Sequence, residues 1–194
     1  EVPELPATIE GVVTHHPRLL RSPRFCAGED RYYGSYYLQD ETGGILVYKD
    51  SRVADFTFGD RVTIRVRGMA SQNFSGMPAG VVGVMAYDKE NVVDQDLPIY
   101  YEETDEAFTA DEVAQVRRVR GEVVQAPSNT NFNSMTVASL NTDAVWEVSL
   151  DRELTRRSYS FESGEVLELT GVVADNYGLT MLIYSLGQIE RIEE

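Results

Sequence analysis

Apolar and polar residues alternate in short runs along most of the chain, with almost no helical periodicity. Period-2 alternation, β-branched and aromatic enrichment, and Gly, Asn, Ser or Asp at the breaks predict strands near 7–15, 34–40, 45–50, 61–70 and 79–88. A second set is predicted near 116–125, 134–139, 144–150, 165–174 and 179–186. The stretch YYLQDETGGILVYKD, Tyr36 to Asp50, shows the pattern well: two strands flank Asp40-Glu41-Thr42-Gly43-Gly44. There the glycines supply positive φ for a tight connection, and Asp40 can accept from nearby backbone amides.

The two sets have the same internal order. TIEGVV (8–13) opens the first and VRGEVV (119–124) the second. Further on, Phe58-Gly59-Asp60 before Val62 and Ile64 corresponds to Phe161 to Glu165 before Val166, Leu167 and Leu169: an aromatic, a glycine turn, an acid, then alternating apolar residues. This is an internal duplication. The expected fold is all-β, two tandem OB-fold-like five-stranded barrels, because five strands with a long first connection suit a small closed barrel better than a sandwich. The expected division is an N-terminal barrel over 1–95, an acidic linker over 96–112 and a C-terminal barrel over 113–194. Val62, Ile64, Leu167 and Leu169 are expected to be equivalent core positions.

The run Tyr36 to Ile45, with Thr8–Val13 before it and Gly59–Val62 and Arg67–Met69 after it, resembles OB-fold modules of bacterial secreted and cell-surface proteins, many of them lipoproteins and some beside extracellular nuclease domains. The resemblance covers about residues 7–90; the second copy lacks the QDETGG hairpin. It implies a fold and an exported location, periplasmic or at the cell surface, with any lipid anchor outside the given sequence. It implies no activity, because one fold hosts many functions.

Charge narrows the partners. The net charge is −15. Residues 7–95 hold 10 basic and 11 acidic residues, 96–112 hold none and 7, and 113–194 hold 7 and 12. Phosphate binding needs a positive face, so duplex DNA is not an expected partner, and single-stranded nucleic acid is open only to the nearly neutral first barrel. Arg18, Arg21 and Arg24 fall in its first long loop, and Arg61, Arg65 and Arg67 share one side of its fourth strand. No 18-residue apolar run is present.

With Tyr36, Leu38, Ile45 and Val47 pointing inward, alternation puts Tyr37, Gln39, Leu46 and Tyr48 outside, on the two strands where OB-folds commonly bind ligands. The candidate ligand-binding residues are therefore Tyr37 and Tyr48 for stacking, Gln39 for a directional hydrogen bond, and Phe74 in the loop SQNFSGMP, able to close over a ligand. The competing expectation is that another part of the chain covers this face. Trp146 is read as a buried core residue or a second ligand contact.

Catalytic, metal and cofactor chemistry finds no support. His15 and His16 are adjacent and diverge in a strand; Cys26 has no neighbouring histidine; no nucleophile elbow, zinc, phosphate-loop, calcium or dinucleotide motif is present. The expectation is a non-catalytic binding or assembly module of an exported protein, with a protein or glycan at the cell surface as ligand. The alternative is a single-stranded nucleic-acid-binding accessory of an extracellular nucleic-acid-processing system.

Overall fold

The computed structural model describes residues 4–15, 18–21, 30–51, 55–71, 82–93, 101–128, 133–150, 154, 160–175 and 178–192. The chain forms two compact units, Glu1–Tyr100 and Tyr101–Glu194.

The first unit holds β1 (Ala7–His15), β2 (Arg18–Arg21), β3 (Asp30–Gln39), β4 (Gly44–Ser51), β5 (Arg61–Ser71) and β6 (Val82–Val93). β1 is antiparallel to both β3 and β5, β3 to β4, and β5 to β6; β4 meets β6 in parallel at Val47 and Val84. The pairings run β1–β3–β4–β6–β5 and return to β1, and β2 adds a short ribbon to β3. Alternate residues of these strands enclose the core of Val13, Tyr36, Leu38, Val47, Phe56, Val62, Ile64, Val66 and Val84.

The second unit repeats the cycle with β8 (Val116–Gln125), β9 (Ser134–Ser139), β10 (Val145–Leu150), β11 (Val166–Asp175) and β12 (Leu179–Ile183). Again the third and fifth strands of the cycle, β10 and β12, are parallel, and β11 closes on β8. Two short strands are added, β7 (Glu102–Glu103) beside β8 and β13 (Ile189–Arg191) beside β11. Both units are all-β and OB-like. Val62, Ile64, Leu167 and Leu169 have no exposed surface.

The duplication extends to individual hydrogen bonds. Gly59 at φ 84° and Gly164 at φ 93° occupy the left-handed region where a Cβ is strained. The Gly59 N–H donates to the Val13 carbonyl, and Val13 N–H donates to the Asp60 carbonyl; Gly164, Val123 and Glu165 repeat both bonds. The acid folds back in each turn, Asp60 Oδ2 accepting from Thr57 N at 2.7 Å and Glu165 Oε2 from Glu162 N at 3.0 Å. This register corrects one equivalence: buried Phe161 corresponds to buried Phe56, not to half-buried Phe58.

The acidic segment also differs from expectation. Its residues from 101 onward lie in the second unit, although composition suggested a linker through 112. Glu102 and Glu103 pair in parallel with Arg117 and Arg118, and Phe108 packs on the second core. The Trp146 indole N–H donates to the Glu106 carbonyl at 2.9 Å. Seven acidic residues without a base suggest a solvated tether only while their partners in the next strand are unknown.

Candidate ligand face of the first barrel

Register settles which way the candidate residues point. Tyr36 lies opposite Val47 and Leu38 opposite Ile45, facing the core; Tyr37 lies opposite Leu46, Gln39 opposite Gly44 and Ser35 opposite Tyr48 on the other face. The outward row is therefore as the alternation predicts, but its access to solvent is not. Tyr37 is 2% exposed, Gln39 5% and Leu46 3%, while Tyr48 is half-buried. Phe74 lies outside the described residues, as do Arg24, Cys26 and His16.

One cause of the burial is local. The register of β1 against β3 shifts between Val13 and His15, so that His15 rather than Thr14 comes opposite Tyr37. A bulge re-aims a side chain in this way. The His15 ring meets Tyr37 edge-on at 5.7 Å with an interplanar angle of 81°, while Thr14 Oγ1 donates to the Tyr37 carbonyl at 3.2 Å. Burial pushes the Tyr37 phenol well above its ordinary value, which keeps it neutral.

The same row continues in register beyond the covered pair. Arg18 of β2 lies opposite Tyr33 of β3, and Tyr33 opposite Asp50 of β4. By backbone register alone, β3 positions 39, 37, 35 and 33 lie opposite 44, 46, 48 and 50 of β4, and 33 also lies opposite 18 of β2. The arginines of β5 are differently placed: Arg61 pairs with Glu10 at 3.0 Å and Arg67 with Asp88 at 2.9 Å, both exposed. Such pairs contribute little to stability but offset the positive charge of the strand.

The hairpin at the end of the row is built as expected around Asp40. Its Oδ1 accepts from Thr42 N at 2.7 Å, Thr42 Oγ1 at 2.6 Å and Gly43 N at 3.1 Å, and the Thr42 side-chain bond above all holds this carboxyl below its ordinary value. Of the two glycines, Gly43 has the positive φ; Gly44 is the first residue of β4.

Two polar networks carry no motif in the sequence. In the first barrel the Tyr36 hydroxyl accepts from Asp55 N at 2.8 Å, Tyr87 donates to Asp55 Oδ2, and Lys89 Nζ lies 3.6 Å from Asp55 Oδ1. In the second, buried Arg117 donates to Glu112 Oε1 at 2.8 Å and to Gln115 Oε1 at 2.8 Å, with Glu102 at 3.3 Å. Partial burial pushes the Glu112 carboxyl up, but hydrogen bonds from Arg117 and Thr109 outweigh it and leave the group below its ordinary value. The hydrogen bonds of the first network join residues 19 and 32 positions apart, which spacing could not reveal, whereas the second gathers near neighbours of Arg117 with Glu102 brought in by the pairing of β7 and β8. Among the described residues no group of three or more His, Cys, Asp or Glu is arranged to hold a metal ion.

No protein-family model and no curated protein sequence matches the chain. Among solved structures it is similar to the wild-type single-stranded DNA binding protein from Thermus aquaticus, at 15% identity and a TM-score of 0.31 over 96% of this chain and 92% of that one. A deletion mutant of the same protein gives 14% identity and a TM-score of 0.31, covering 96% and 93%. A TM-score of 0.31 carries neither fold nor ligand, so the OB-like assignment stands on the strand order and pairings described above.

Proposed function

We propose that the chain is a non-catalytic binding module whose first barrel takes a single-stranded nucleic acid along the outer face of β3 and β4. The observation that supports this reading is the row Arg18, Tyr33, Ser35, Tyr48, Tyr37 in cross-strand register. Tyr33 and Tyr48 are diagonal neighbours across β3 and β4, since Tyr48 lies opposite Ser35, and such diagonal positions stand roughly 7–8 Å apart, a spacing an extended strand of bases can match. Each stacked base is worth about 1–3 kcal/mol on an aromatic platform, independent of sequence. Since Tyr37 and Gln39 are covered, the working part of the proposed platform is its Tyr48 and Tyr33 end.

A second reading is favoured by the Arg61–Glu10 and Arg67–Asp88 pairs, which offset the positive charge of β5. In that reading the face takes a protein or glycan at the cell surface, by apolar and hydrogen-bonding contacts. An exported location is part of the same proposal and rests only on the resemblance of residues 7–90; fractionation of the native host tests it.

Fluorescence anisotropy of a labelled oligothymidylate against the whole chain, across a salt series, separates the readings. Nucleic-acid binding through phosphates weakens steeply as salt rises. Saturable binding with a salt slope supports the proposal; no binding at any salt overturns it. Duplex DNA of the same length should not bind measurably at ~150 mM salt, because a protein of charge −15 gains little from counterion release.

A further inference from the structure

The second barrel shows how a groove of this fold is filled, and among the described residues no strand fills the corresponding groove of the first barrel. Gly11 opposite Val62 and Gly121 opposite Leu167 fix the equivalence, so Ala7, Thr8 and Glu10 correspond to Arg117, Arg118 and Arg120. Likewise Ile45, opposite Leu38, corresponds to Trp146, opposite Val137. In the second barrel the edge of β8 at Arg117 and Arg118 is taken by β7, with Thr104 N donating to the Arg118 carbonyl at 3.0 Å. From there the segment runs to the β9–β10 hairpin: Thr142 Oγ1 donates to the Asp105 carbonyl, Asn141 Nδ2 to Asp105 Oδ2 at 3.0 Å, and Phe108 lies 6.3 Å from Trp146, ring to ring.

In the first barrel Val13 bonds toward β5, so by antiparallel alternation Thr8 and Glu10 direct their N–H and C=O to the opposite edge. Among the described residues no strand pairs with that edge before Val12. Beside it lies a hollow of about 560 Å³ lined by residues that include Ile9, Glu10, Asp40, Thr42 and Ile45. We propose that the Thr8–Glu10 edge and this hollow bind an extended peptide segment of a partner protein, apolar and basic in composition, added as a strand parallel to β1 as β7 is added to β8. Strand addition to an open edge draws affinity from main-chain bonds and specificity from the pockets beside them.

Charge selects that occupant over the chain's own segment. Glu102 and Glu103 of the second barrel meet arginines; the equivalent positions here are Ala7 and Thr8, and the hollow is lined instead by Asp40 and by exposed Glu10, which also pairs with Arg61 at 3.0 Å. An acidic strand is repelled where a basic one is held, and an apolar side chain seats against Ile9 and Ile45 where Phe108 meets Trp146.

The test is amide chemical-shift mapping on the isotope-labelled full chain with three synthetic peptides: YEETDEAF, the chain's own 101–108 sequence; YKKTKKAF, its charge-inverted form; and a scrambled YKKTKKAF. The expected result is saturable shifts from YKKTKKAF at the amides of 8–11 and 42–45, absent with the other two. Glu10→Lys should weaken this binding by about 10-fold. Thr8→Pro, which removes an edge N–H directed away from β5, should abolish it. Equal response to the scrambled peptide, shifts elsewhere on the acidic surface, or no saturation up to ~1 mM would each overturn the proposal. Preferential binding of YEETDEAF would overturn it in favour of strand exchange between copies.

Discussion

On the same two strands of the same barrel, the first copy sets Tyr37, Gln39, Leu46 and Tyr48 where the second sets Thr136, Ala138, Glu147 and Ser149. In the second copy these are small or polar, Glu147 is exposed, and Thr136 Oγ1 donates to Glu147 Oε1 at 3.1 Å across the strands. In the first copy three of the four are buried. Where the second copy is apolar instead, at Trp146 and Phe108, the first has Ile45 beside an open hollow. The glycine turns and most inward positions have stayed alike because closure of the barrel requires them, whereas the outer faces and the Ile45/Trp146 position have diverged.

The largest expected effect distinguishes the equivalent residues Trp146 and Ile45. Trp146→Ala removes a ring that is 1% exposed and orphans the Glu106 carbonyl, so it should cost about 3–5 kcal/mol in denaturant unfolding. Ile45→Ala, at a half-buried site, should cost less than half as much. Equal losses would mean that the two grooves are not filled differently.

Next comes the clamp on the acidic segment. Arg117→Ala leaves Glu112 and Glu102 without their shared cation, and breaking a buried pair from one side costs roughly 3 kcal/mol or more. Arg117→Met should lose less, since it retains the packing. The clamp is also sensitive to acid. Because Glu112 titrates below its ordinary value of 4.5, its contribution is complete above that pH and is lost as pH falls through the lower folded value. Protection factors at 102–112, which correct for the intrinsic slowing of amide exchange in acid, should therefore fall on acidification before those in β11 do. Simultaneous loss would show that the clamp and the barrel form one cooperative unit.

The outer faces give smaller, graded effects. Tyr37→Ala should cost about 3 kcal/mol, as buried aromatic truncations do, and Tyr48→Ala appreciably less. Thr136→Ala, at the position equivalent to Tyr37, should stay near the ~0.5 kcal/mol typical of surface substitutions. In the oligothymidylate titration Tyr48→Ala should weaken binding, while Thr136→Ala should leave it unchanged.

Strand positions and core were legible because period 2 fixes which residues face inward: β8 and β9 fall at the predicted bounds, and Tyr36, Leu38, Val62 and Ile64 are buried as expected. Direction, however, is not exposure. Nothing in the alternation of YYLQ could reveal that a bulge at Thr14 would bring His15 onto Tyr37. The acidic segment was misread for a related reason: its partners, Arg117, Arg118 and Trp146, come later in the chain, and only the closed barrel brings them within reach. Short added strands such as β2 and β13 have too few residues to establish a period.

The central claim, that one of two related barrels carries the ligand face, is tested most directly by mapping amide shifts of the labelled chain during titration with an oligothymidylate. The account predicts saturable shifts confined to 31–37 in β3 and 46–50 in β4, with the equivalent stretch 134–149 of the second barrel unmoved. Shifts centred on 134–149, or none in either barrel at saturating oligonucleotide, would contradict it.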